Sequence, residues 1–369
     1  MNKLNPLLIV VVTSVFALLA LSQCSKRDNE TTTYDFEHNL ADLNQVQIIG
    51  KKIFFDKNLS SPAGQSCASC HNPATGFSDP ALKPFSEGAV AGRFGNRNAP
   101  PLGYLSFSPV RYFDNVDSTF VGGLFLDGRV NSLKEQVRFP LLNHLEMNNG
   151  SISEVVTKVS QANYATLFKN TFGKNIFDDT TAAFDAISKA VAEFERSEQV
   201  SPFSSKYDAY LDGEASLTPQ ELRGLLLFND TAKGKCANCH PSDADNDFGA
   251  ALFTDFTYDN IGLPHNPNAT TSQSDWGLGA IVNNPSMNGQ FKVPSLRNVA
   301  VSAPYFHNGY FDNLNDAVRF YSERDVPGKF PAPEASQNVN KDELGDLHLT
   351  PQEIDDIVAF LKTLTDGYR

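Results

Sequence analysis

Two short stretches hold the residues best placed to do chemistry: Cys67-Ala68-Ser69-Cys70-His71 and Cys236-Ala237-Asn238-Cys239-His240. In each, two thiols three positions apart can form thioether bonds to a haem, and the histidine directly after them can bind its iron from one side. A CxxC pair can also hold zinc or close into a disulfide. Structural zinc gathers four ligands in one place, usually from two pairs close in sequence. Here the pairs lie far apart and each runs straight into histidine. Two covalently bound c-type haems are therefore the expected cofactors, with His71 and His240 as the proximal iron ligands.

The sixth position on each iron separates an electron carrier from an enzyme. Simple cytochromes c fill it with methionine or histidine. The remaining histidines are His38, His144, His265, His307 and His348, and the methionines are Met1, Met147 and Met287. Neither half of the chain offers an obvious methionine ligand.

Helices must position these groups. Val46, Ile49 and Ile53 space as one helical face that stops before Asp56, just ahead of the first motif. Residues 72–124 are rich in Gly, Pro, Asn and Phe with weak periodicity, as expected of long ordered loop wrapped around a cofactor. Ser151 to Phe172 reads as one or two helices, and Phe184, Ile187, Val191 and Phe194 mark another over Thr181 to Arg196. Thr218-Pro219-Gln220-Glu221 is a capping box with proline at the first helical position, and the same four letters recur at Thr350 to Glu353. The order helix, CxxCH, loops, closing helix therefore occurs twice. The fold class expected is mainly α, with two cytochrome c-like domains joined near 201–213 and long ordered loops.

The chain of 369 residues has 41% hydrophobic and 20% charged residues, the composition of a globular protein. Its formal net charge of −13 argues against nucleic acid and anionic membrane surfaces as partners. Lys3 precedes an apolar run from Leu7 to Leu21, short for a membrane span and typical of a signal-peptide core. Leu21-Ser22-Gln23-Cys24 resembles a lipoprotein cleavage site, which predicts a lipid anchor at Cys24; plain secretion and an uncleaved anchor are the alternatives. Residues 1–23 are thus expected to be a signal peptide and 24–40 a polar tether. The mature protein is placed in the periplasm, or on the outer membrane facing it.

Beyond these motifs the chain resembles the bacterial dihaem cytochrome c peroxidases and the related MauG group. The resemblance rests on Ile53-Phe54-Phe55-Asp56, Arg97-Asn98-Ala99-Pro100, Leu126-Asp127-Gly128-Arg129, Leu141 to Met147, Asn260-Ile261-Gly262, Val293 to Asn298, Ala303 to Gly309 and Ala317 to Tyr321. It implies a peroxidatic haem domain over 41–200 and an electron-transfer haem domain over 201–369. Glu146 matches the family's acid–base glutamate over the first iron, with Gln136 and Pro140 lining the same pocket. Tyr321 matches the sixth ligand of the second iron in the MauG group, where the peroxidases carry methionine. The resemblance further implies a calcium ion between the haems, held by Asn98 and the carbonyls of Ser302 and Pro304. Arg129 and Arg297 are expected to pair with haem propionates, and His307 to anchor a loop by hydrogen bonding.

Two departures stand out. Leu126 takes the place where many members carry a tryptophan between the haems, and no histidine lies between His71 and His144. The activity expected is reduction of hydrogen peroxide to water with electrons from a small cytochrome c or cupredoxin, in a protein that, like its family, forms homodimers. A MauG-like oxidase acting on a protein side chain and a non-enzymatic dihaem electron carrier are the alternatives.

Overall fold

The computed structural model describes residues 36–244, 249–269 and 273–369. The expected signal peptide, Cys24 and most of the tether lie outside them. Its helices are α1 (Gln45–Phe55), α2 (Cys67–Cys70), α3 (Leu133–Leu142), α4 (Ile152–Gln161), α5 (Ala165–Phe172), α6 (Thr180–Glu195), α7 (Lys206–Leu211), α8 (Pro219–Asn229), α9 (Leu278–Val282), α10 (Leu314–Glu323) and α11 (Pro351–Lys362). Strand is scarce. β1 (Tyr112–Asp114) pairs antiparallel with β2 (Thr119–Val121), and β3 (Tyr258–Asp259) with β4 (Phe291–Lys292). The protein is mainly helical, and no helix among the described residues is long and apolar enough to cross a membrane.

Local chemistry accounts for the helix ends. Thr218 and Thr350 accept from the backbone N–H groups of Glu221 and Glu353, whose carboxylates return the bond, so α8 and α11 begin where the sequence places them. The stretch 151–172 breaks into two helices at Ala162. Of the helices of ten or more residues, two escape the periodicity reading. In α3, polar residues and the internal Pro140 blur the apolar stripe; α10 is short but strongly two-faced.

Residues 40–369 make one compact unit, and within it the sequence duplication is visible as packing. The helix preceding each CxxCH crosses a closing helix at a glycine: α1 crosses α6 at Gly50, and α8 crosses α11 at Gly224. A Cβ on Gly50 would lie 1.9 Å from the Ala190 carbonyl oxygen, and one on Gly224 would lie 1.9 Å from that of Asp356. Only a bare backbone allows each pair to approach so closely. Gly224→Ala is therefore expected to destabilise the fold by about 1–3 kcal/mol through overpacking, read as a lower midpoint in urea unfolding of the holoprotein.

Around the α8–α11 crossing, Tyr207, Phe228, Phe253 and Phe360 form an edge-to-face aromatic core. Around α1–α6, Phe54 packs edge-on against Phe77 and Phe194. The loops of the first half are stitched to the second. Tyr104 Oη donates to Asp366 at 2.9 Å, the Asn98 amide to the His307 carbonyl at 2.8 Å, and Arg97 pairs with both Asp127 and Asp275. The loop 72–124 is irregular, as expected, apart from the β1–β2 hairpin and single turns of 3₁₀ helix.

Candidate haem and peroxide site

Each CxxCH motif forms a helical turn that returns its histidine to the start. The amides of His71 and His240 donate to the carbonyls of Cys67 and Cys236, both at 2.9 Å. Each imidazole is then fixed from behind: His71 Nδ1 lies 3.0 Å from the Phe77 carbonyl, and His240 Nδ1 lies 2.8 Å from that of Phe253. Both phenylalanines adopt left-handed backbone conformations, with φ of 62° and 54°. Bulky residues rarely take that conformation, and here it aims a carbonyl at a ring nitrogen in both halves. With Nδ1 occupied, Nε2 is the nitrogen left to bind a metal, the orientation common to metal-bound histidines. Burial lowers the pKa of both imidazoles, that of His240 to about 4, so each is neutral as a ligand must be.

The four thiols of the motifs are free rather than paired as disulfides. Burial pushes Cys67, Cys70 and Cys236 up to about 12. Neutral, half-buried thiols at this spacing suit thioether formation.

Around the second motif lies a mostly apolar cavity of about 230 Å³, lined by Cys236, Cys239, His240 and Tyr321 and walled by Phe228, Leu263, Ile357 and Leu361. Tyr321 reaches it from α10, and burial together with the nearby Cys239 and Asp259 holds its phenol above the ordinary pKa. Asn98, Ser302 and Pro304 line the same cavity. The Asn98 amide nitrogen lies near the Pro84 carbonyl at 3.4 Å. Leu126 also lines this space, as do Phe291 and His307, whose rings stack 3.7 Å apart at 9°. His307 Nε2 stands 3.5 Å from Glu334.

Near the first motif two buried polar atoms lack partners among the described residues: Gln65 Oε1, whose side-chain nitrogen lies 3.6 Å from Cys70 Sγ, and Glu195 Oε2, whose charge acts on Cys67; Gln136 Oε1 on α3 lacks one as well. A buried polar atom without a partner is costly, and such atoms fit a bound group with donors and charge of its own. Gln136 projects from α3, one turn before Pro140. Glu146 follows the end of α3, where Asn143 folds the chain back. The Glu146 amide donates to the Asn143 carbonyl at 3.0 Å, and Asn143 Nδ2 donates to Glu146 Oε1 at 2.7 Å. Glu146 is close enough to both Cys67 and Cys70 to raise their pKa values. Burial raises its own, against the pull of Asn143 and Arg129.

The two arginines differ. Arg129 lies over the Phe125 ring at 3.5 Å and pairs with Asp127 at the edge of the Glu146 region. Arg297 is fully enclosed: both its terminal nitrogens go to Asp208, at 2.7 and 2.9 Å, and Nε donates to the Ala251 carbonyl at 2.7 Å. Its guanidinium ties Asp208 of α7 to Ala251.

Sequence reasoning passed over Glu195 and Lys292. Glu195 is 7% exposed, and burial lifts its carboxyl to about 8. A signal was available, since it falls four residues after Val191 on the apolar stripe of α6. Lys292 lies between apolar neighbours on a two-residue strand and gives no periodic signal.

Two CxxCH turns with matching histidine anchors, in one helical chain, define a protein organised to carry two c-type haems. Residues 44–216 match the family described as di-haem cytochrome c peroxidase. The chain is 38% identical to the methylamine utilization protein MauG of Paracoccus denitrificans, covering 86% of this chain and 88% of that protein. It is 31% identical to the cytochrome c551 peroxidase of Pseudomonas aeruginosa, over 87% and 79% of the two chains. The crystal structure of the diheme peroxidase BthA from Burkholderia thailandensis superposes with a TM-score of 0.80 at 36% identity, covering 88% of this chain and 87% of that one. The protein belongs to the dihaem cytochrome c peroxidase family, whose MauG members are included among these relatives, and two haem c groups are its implied cofactors.

Proposed function

We propose that this protein is a dihaem peroxidase that reduces hydrogen peroxide to water with electrons from a small redox protein. In this reading residues 41–200 form the peroxidatic domain and 201–369 the electron-transfer domain. Cys67, Cys70 and His71 hold the first haem; Cys236, Cys239, His240 and Tyr321 hold the second. When bound, the haem at His71 would supply the peroxide-binding centre, and the haem at His240 would pass on the electrons delivered by the external donor.

The observation that carries this reading is the half-buried Glu146 carboxyl, held by Asn143 Nδ2 at 2.7 Å and close enough to Cys67 and Cys70 of the first CxxCH to raise their pKa values. Splitting the O–O bond unevenly requires a proton to leave the inner oxygen and reach the outer one. A carboxylate fixed over the bound peroxide can take that proton as a base and return it as an acid, worth roughly 10²–10⁴ in rate. Asn143 fixes the orientation of the carboxyl. In this reading Gln136, buried on α3 with its Oε1 unpartnered, hydrogen-bonds the peroxide or its product water.

That Asn98, Ser302 and Pro304 all line the cavity beside the second motif supports a calcium ion between the haems; oxygen donors suit a hard cation. The acidic surface suits a basic cytochrome c or cupredoxin as donor. Export to the periplasm, a lipid anchor at Cys24 and a homodimer complete the proposal. Turnover tests it: the holoprotein should consume peroxide and oxidise a reduced small cytochrome c in a 1:2 ratio.

A second reading, a MauG-like oxidase of a protein side chain, draws support from Tyr321 in the second cavity and from the identity to MauG. It predicts slow cytochrome turnover together with an oxidised partner protein.

A further inference from the structure

Lys292 is 6% exposed, on β4 directly opposite Tyr258. Its Nζ donates to the Gly123 carbonyl at 2.7 Å and to Ser108 Oγ at 3.3 Å. Both acceptors are neutral, and an ammonium has a third N–H to place. Among the described residues Lys292 is matched with no carboxylate, and burial alone pulls its pKa down to about 7. Burying an ammonium without a counter-charge is costly, so this side chain calls for an anion that the described residues do not supply.

The location narrows the identity of that anion. Lys292 lines the cavity shared by Cys239, His240 and Tyr321. The other cation on that wall set, Lys235, adjoins Cys236 and reaches the Asp342 carbonyl at 2.9 Å. It belongs to the end where the thioethers form. A haem carries its two propionates on the edge away from its thioether-forming groups. Lys292 enters the cavity from β4, away in sequence from that end, and its amide donates to the carbonyl of Leu126, which also lines the cavity, at 2.8 Å. Arg297, the cation that sequence reasoning assigns to a propionate, already has its charge paired with Asp208 and its Nε bonded to the Ala251 carbonyl.

We infer that Lys292 anchors a propionate of the haem attached at Cys236 and Cys239, and that its charge helps set the reduction potential of that haem. The inference deepens the proposed reading and rests on its assignment of the second haem. The carboxylate takes the third N–H, while Gly123 and Ser108 fix the other two. The ammonium is then paired, and the haem edge is tied to the 108–126 segment of the first half. A cation held at the haem edge favours the reduced iron, whose net charge is one unit lower. Removing it therefore shifts the potential negative.

Lys292→Met in the full dihaem protein tests this, with haem counted chemically and each haem followed in a redox titration. The expected result is two haems per chain, a negative shift for the His240 haem alone, and a changed propionate bending mode in resonance Raman spectra. Lys292→Arg should restore the potential. An unchanged potential and propionate mode in a variant that keeps both haems would overturn the inference, as would equal shifts of both haems. Should Lys292→Met lose the second haem, the Raman spectrum of Lys292→Arg decides: a shifted propionate mode supports the contact, and an unchanged one refutes it. None of these readouts involves peroxide turnover, so the peroxidase reading can fail while the propionate contact stands, and the reverse.

Discussion

Glu146→Gln is expected to slow the reaction with hydrogen peroxide by about 10²–10⁴-fold while leaving both haems bound. The substitution keeps the side-chain volume, and the glutamine oxygen can still accept from Asn143 Nδ2, which lies 2.7 Å from Glu146 Oε1. What is lost is a group able to take a proton and return it. The pH dependence follows from the direction of the shift. Burial raises the Glu146 pKa above its ordinary value of 4.5. The base form is therefore lost, as pH falls, at a higher pH than for an exposed glutamate. Stopped-flow rates across pH should show that acidic limb in the parent protein and not in the variant. The same shift has a cost in stability. A raised folded-state pKa contributes stability below the unfolded value, and that contribution disappears as pH rises through the folded value. At neutral pH Glu146→Gln should thus be no less stable than the parent. A variant that reacts with peroxide at the parental rate would remove Glu146 from the chemistry.

Tyr321→Phe is expected to abolish the low-spin ferric signal of the His240 haem and leave the His71 haem untouched. Phenylalanine retains the ring packing against Phe306 and Phe320, whose centroids lie 5.7 and 6.3 Å away. Only the hydroxyl is lost, so the change isolates ligation from packing. An anionic oxygen ligand lowers the reduction potential, and its removal should move the potential of that haem positive. Electron paramagnetic resonance and a redox titration check both points. A change confined to the high-spin haem would mean that the two sites are assigned the wrong way round.

Much of the framework is legible in the residues because it rests on local chemistry. The Thr-Pro-Gln-Glu boxes start α8 and α11 where written, since a capping box needs only four adjacent residues. The stripe from Phe184 to Phe194 locates α6 to within a residue at each end. Other features depend on contacts remote in sequence. Nothing near Gly50 or Gly224 reveals that another helix backbone crosses there. Nothing near Phe77 or Phe253 shows that a left-handed turn aims its carbonyl at a histidine. Arg297 illustrates the limit most clearly. Its residue type suits a propionate, yet its partner is Asp208, 89 positions away. Lys292, a buried cation of the cavity matched with no carboxylate among the described residues, is marked by no periodicity.

The ferric protein, examined by electron paramagnetic resonance before and after one equivalent of hydrogen peroxide, tests the central claim most directly. The account predicts one high-spin haem, at His71, and one low-spin haem, at His240, with peroxide rapidly removing the high-spin signal in the parent and not in Glu146→Gln. Two low-spin haems that ignore peroxide would contradict it and leave an electron carrier in its place.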